Sequence, residues 1–144
     1  MAGMSRRQKV LISITALGVI VLGAVALRVL PLFTGPALPA GATRLHIATE
    51  RPNFNLSCAA AALQPARVAT SGDDLVLVTV ETGETVPVVW PAGFGAWRVG
   101  ESVVLADPWG SVVGREGDVL DSLGGGGGLD DAFRICPFGI VTGR

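Results

Sequence analysis

Hydrophobic positions follow two regimes along this chain. Residues 10–27, VLISITALGVIVLGAVAL, run for eighteen positions without a charge. As a helix at 1.5 Å per residue such a run spans about 27 Å, close to the hydrocarbon thickness of a bilayer. After Arg28 the apolar run resumes as Val29-Leu30-Pro31-Leu32-Phe33. Arg28 is placed to snorkel toward the headgroups, and Pro31 is expected to end the helix. From residue 73 onward the apolar positions come in short bursts, rich in Val and Leu and separated by turn residues. That spacing belongs to strands rather than helices.

The bursts predict five or six short strands. Residues 75–80 (LVLVTV) form one, and residues 85–90 (TVPVVW) return after Glu81-Thr82-Gly83-Glu84, where Gly83 is free to take positive φ. Pro87 cannot donate to a sheet ladder, so its strand should lie at an edge or carry a bulge. Residues 96–99 and 102–106 come next. Asp107-Pro108-Trp109-Gly110 has the residue order of a type I turn and joins 102–106 to 111–115. Glu116-Gly117-Asp118 is another turn. Residues 132–136 (AFRIC) read as the last strand. Residues 59–68 supply the first, although Ala60-Ala61-Ala62-Leu63 is helix-prone. The glycine run at 124–128 reads as a flexible loop between strands. The expected fold class is therefore mainly β: a small barrel or sandwich following one N-terminal transmembrane helix, with closure hiding the strand edges.

Charge sets an orientation for the helix. Arg6, Arg7 and Lys9 precede it with no acid among them, which by the positive-inside rule leaves the N-terminus cytoplasmic. A cleaved signal peptide is the competing reading, since Ala24-Val25-Ala26 and Ala40-Gly41-Ala42 both have the form of cleavage sites. The hydrophobic run is longer than signal peptides use, and a retained anchor is favoured. Gly18 and Gly23 are five apart, the wrong spacing for a GxxxG dimer face. The expected partition is a cytoplasmic basic end at 1–9, a transmembrane anchor at 10–33, a linker at 34–57 and an extracytoplasmic β-domain at 58–144. Thr34 to Thr43, TGPALPAGAT, reads as an extended spacer lifting that domain off the membrane.

The part beyond the anchor carries seven arginines against twelve acidic residues, and the arginines are dispersed. Nucleic acid is thus an unfavoured partner. The two cysteines, Cys58 and Cys136, bracket the β-rich region. Outside the cytoplasm such a pair is expected to form a disulfide, closing a loop of 79 residues. A thiol redox pair is the lesser alternative, because there is no CxxC motif and no neighbouring cation to lower a thiol pKa.

Candidate chemistry is sparse. His46 is the single histidine, and no serine in the sequence is evidently its partner, so a catalytic triad or zinc site is not expected. The glycine run lacks the G-K-[ST] ending of a phosphate loop. Asp118, Asp121, Asp130 and Asp131 gather around it without matching an EF-hand, and a solvated acidic loop is the simpler reading. No catalytic residue, metal ligand or cofactor is assigned. Trp90, Phe94, Trp97 and Trp109 stand at strand ends or turns. As exposed rings they would stack on sugars, bases or peptide side chains; as buried rings they would form the core, which is the favoured reading. Trp109, third in its turn, is the one most expected to be exposed.

Three segments carry a resemblance: VVWPAGF at 88–94, DPWGSVVGREGD at 107–118, and Phe133-Arg134-Ile135-Cys136 after the glycine run. They resemble a group of short secreted or membrane-anchored bacterial proteins with VVWPxGF and DxxGxVVxRxGD signatures and a late cysteine. The resemblance covers residues 58–136. It implies an OB-like β-barrel outside the cytoplasm and brings no catalytic residue with it. Arg115, Gly117 and Asp118 fall in the second signature, where a tight turn with a local ion pair is expected.

The function expected from these readings is a membrane-tethered extracytoplasmic binding or assembly domain without enzymatic activity, with an envelope protein or glycan as its partner. A structural accessory subunit of a larger membrane complex is the alternative.

Overall fold

The computed structural model describes residues 6–52, 61–127 and 131–141. Helix α1 (Arg6–Val29) is 24 residues long and carries Arg28 in its last turn. Its described side chains lie open along the helix as far as Arg28. Among the described residues it is the one helix long and apolar enough to cross a membrane, with a mean hydropathy of 2.3 over the candidate span. An anchor and a signal sequence both satisfy that test. A short second helix, α2 (Pro31–Thr34), starts on its proline, where the missing N–H costs nothing.

Twelve short strands come after the helices among the described residues, rather than the five or six expected. They are β1 (Thr43–Leu45), β2 (Ala61–Leu63), β3 (Ala66–Ser71), β4 (Asp74–Thr79), β5 (Thr85–Val86) and β6 (Val88–Val89), then β7 (Gly95–Val99), β8 (Ser102–Ala106), β9 (Val112–Arg115), β10 (Val119–Leu120), β11 (Ser122–Gly127) and β12 (Phe133–Val141). They form three four-stranded sheets in the orders β1-β7-β8-β9, β10-β3-β4-β5 and β2-β11-β12-β6. The fold is mainly β as expected, but among the described residues no sheet closes on itself, so these pairings do not make the closed barrel, one of the two expected architectures.

Pro87 explains part of the extra count. Residues expected to form one strand break there into β5, which pairs with β4, and β6, which runs parallel to β12. Each half stands at the edge of its sheet. Proline has no N–H for a ladder, and the chain changes sheets where that donor is missing. The Pro87 carbonyl still accepts a hydrogen bond from the Phe133 N–H at 2.8 Å.

The glycine run is a strand, not the flexible loop expected. Gly124 to Gly127 lie in β11, between β2 and β12. A Cβ on Gly125 would overlap the Arg134 carbonyl and the Phe133 ring, so this strand needs glycine to let its neighbour approach. Leu123 at its start is fully buried.

One main core cluster gathers Val68, Leu77, Trp90, Leu105, Leu120, Leu123 and Ile135 from the three sheets. Trp97, Val104 and Ala106 form a second, smaller cluster, with Ala42 packed against it. The sheets are also laced together by main-chain bonds. His46 bridges to Asp74, Thr49 bridges to Trp90, and the Val68 N–H and C=O bond to Asp118 and Gly117.

Candidate functional site

The residues after α1 do not all behave as a free spacer. Pro36 is buried, Ala42 covers the second core cluster, and β1 pairs with β7 through Thr43↔Arg98, Arg44↔Trp97 and Leu45↔Ala96. The segment expected as a linker therefore carries the first strand of the folded domain.

The contact between helix exit and domain is close. Gly93 has φ 81°, a conformation that side chains seldom adopt. A Cβ there would lie 2.7 Å from the Pro31 carbonyl oxygen, 2.8 Å from Leu32 Cα and 3.0 Å from Pro108 Cβ. A Cβ on Gly95 would lie 2.9 Å from Pro36 Cγ. Two glycines thus make room for the segment that follows α1, and Gly93 also for Pro108. This contact was not visible from the sequence. Its signal there is the density of prolines and glycines at residues 31–36 and 91–95.

The Asp107–Ser111 hairpin tip stands beside this contact. The Gly110 N–H donates to the Asp107 carbonyl at 3.0 Å, as a type I turn requires. The Asp107 carboxylate accepts the N–H groups of Trp109 at 2.9 Å and Ser111 at 2.8 Å. This locks the tip and spends one carboxylate oxygen on the backbone. Trp109 projects from it with 56% of its surface exposed.

The other aromatics are internal. Trp90 is 2% exposed and stacks on Phe94 at 5.9 Å between ring centroids; Phe94 and Trp97 are also buried. Burial leaves these three no open ring face, so Trp109 is the member of the group available to an external partner.

The remaining candidates separate. His46 Nδ1 lies 3.1 Å from Asp74 Oδ1 on the surface, an exposed pair of little energetic weight. In the second signature, Asp118 accepts the main-chain N–H of Arg115 at 2.8 Å, and Gly117 takes φ 90°. The carboxylate caps a tight turn through the backbone rather than through the guanidinium expected. Arg134 pairs with Glu50 at 3.5 Å. Asp130 lies outside the described residues, and among those described no three His, Cys, Asp or Glu side chains converge as metal ligands. Cys136 is buried and disulfide-bonded; Cys58 lies outside the described residues.

No family model, curated protein or solved structure matches this chain.

Proposed function

We propose that this chain is a membrane-tethered, extracytoplasmic binding or assembly module without catalytic activity, its basic N-terminal end in the cytoplasm. The observation that carries this reading is the seating of residues 31–36 on Gly93 and Gly95. A domain packed against the end of an apolar helix is held near the membrane in a defined pose, which suits presentation of a surface to an envelope protein or glycan. The basic residues before α1 support the orientation. An OB-like arrangement belongs to the same proposal. Its support is the resemblance of the two signature segments, together with the main-chain bonds between His46 and the β4 strand and between Val68 and the Gly117–Asp118 turn. Pairing of Cys136 with Cys58 is proposed with it and fits an oxidising compartment.

The test is affinity capture of the full chain from cross-linked membranes, followed by titration of recovered partners onto the chain in lipid nanodiscs. Saturable binding to an envelope protein or glycan is the expected result. Turnover of an envelope substrate that disappears on substituting one aspartate would overturn the non-enzymatic reading. A stoichiometric partner captured through the helix alone would turn it toward the accessory-subunit alternative.

A further inference from the structure

We propose that the tip of the β8–β9 hairpin is a membrane-contact surface, where Trp109 and the Arg44 guanidinium meet the lipid headgroups of the bilayer that α1 enters. This rests on reading α1 as a retained anchor.

Placement is the first argument. Pro31, Leu32 and Pro108 all crowd Gly93, so the hairpin tip and the short helix that continues from α1 close on the same glycine. Trp109 is the next residue after Pro108, about 3.8 Å further along the backbone. A bilayer spanned by α1 ends close to this point.

Exposure is the second. Trp109 is 56% exposed, and Leu30 and Phe33, at the helix exit, are 59% and 63% exposed. Singly scattered apolar residues on a soluble surface need no explanation. These three belong to two segments that both pack against Gly93 at the membrane end. A tryptophan ring at the headgroup level buries its apolar body while its N–H stays wet, which is why such rings line membrane interfaces.

Charge is the third. The Arg44 guanidinium lies 3.9 Å from where a Gly35 Cβ would be and 4.0 Å from that of Gly95, beside the same juxtamembrane segment. Arg28 stands in the last turn of α1. A guanidinium at this depth matches the fork geometry of a lipid phosphate. At the hairpin tip, Asp107 Oδ1 accepts the Trp109 and Ser111 N–H groups.

The occupant of Trp109 is therefore lipid, and a soluble glycan or protein partner must use another face. The experiment uses the full chain in nanodiscs. Trp90 and Trp97 are buried, so the emission difference between the natural chain and Trp109→Phe reports Trp109 alone. Lipids brominated near the headgroup should quench most of that difference signal, and aqueous iodide should quench little of it. Arg44→Gln should restore part of the iodide quenching in discs with anionic headgroups. If iodide quenches the signal and brominated lipid does not, the contact surface is refuted while the anchor stands. If the chain elutes apart from the discs, the anchor reading and the contact surface fall together.

Discussion

Trp90 and Trp109 have the same side chain and opposite duties. Trp90 fills the main core against Phe94, whereas Trp109 stands on a turn with its ring open. Trp90→Ala should lose about 3–5 kcal/mol of folding stability, the range for a large ring removed from a packed core. Trp109→Ala should change it by about 0.5 kcal/mol or less, as an exposed position with no core contact does. Urea denaturation of both variants in one micelle system measures the contrast; equal losses would contradict it. Gly93 makes a second contrast. Gly93→Ala adds a methyl group against the Pro31 carbonyl and Leu32 Cα in a left-handed backbone, so about 1–3 kcal/mol should be lost. Gly72 has φ 63° with open space around it, and Gly72→Ala should lose only the conformational part, about 1 kcal/mol. A Gly93→Ala variant as stable as Gly72→Ala would mean that the contact between Gly93 and the helix exit is not formed.

At the scale of elements, β11 departs furthest from its sequence signature. A glycine run has high backbone entropy to lose and no side chains to pack, so by composition it reads as a loop. It is ordered as a strand because β2 and β12 hydrogen-bond it from both sides, and because the Phe133 ring and the Arg134 carbonyl occupy the space a side chain at Gly125 would need. Amide hydrogen exchange over Leu123–Gly127 should therefore be slow, like that of β4 and β8. Exchange at loop rates would refute the pairing. The turns were more legible. Gly83 has positive φ, and Asp107 to Gly110 closes its hairpin as the residue order foretold. Turn chemistry is local, so a four-residue window contains its cause. Pro87 was legible as a constraint, since a missing donor is visible in any sequence. Its outcome, a change of sheet, depended on where β4 and β12 lay.

For the whole molecule, the disulfide is the covalent tie. Closing the proposed loop between Cys58 and Cys136 stabilises by up to about 4.5 kcal/mol in the chain-entropy treatment. For a domain whose net stability is about 5–15 kcal/mol, reduction should lower the urea midpoint substantially. Mass spectrometry with alkylation before and after reductant checks the pairing, with no alkylation before reduction and two sites afterwards as the expected pattern. Two alkylated thiols in the unreduced protein from native membranes would refute it. The larger consequence concerns geometry. Residues 34–43, the start of the expected linker at 34–57, read as a spacer on composition alone, because Pro, Gly and Ala carry little packing information. The structure instead seats Pro36, Ala42 and β1 on the domain, so the helix leads into the β-fold with little slack.

The sequence by itself determined the apolar helix, the β character of the chain beyond it, the turns at residues 81–84 and 107–110, and the exposed position of Trp109. Each of these arises from composition, periodicity or backbone chemistry within a few residues. Only the tertiary structure decided that a glycine run is a central strand, that one predicted strand serves two sheets, and that the helix exit packs on Gly93 and Gly95. Those outcomes depend on what lies across the sheet or across the interface. A residue without a side chain carries no pattern of its own; its role is set by the neighbour that moves into the space.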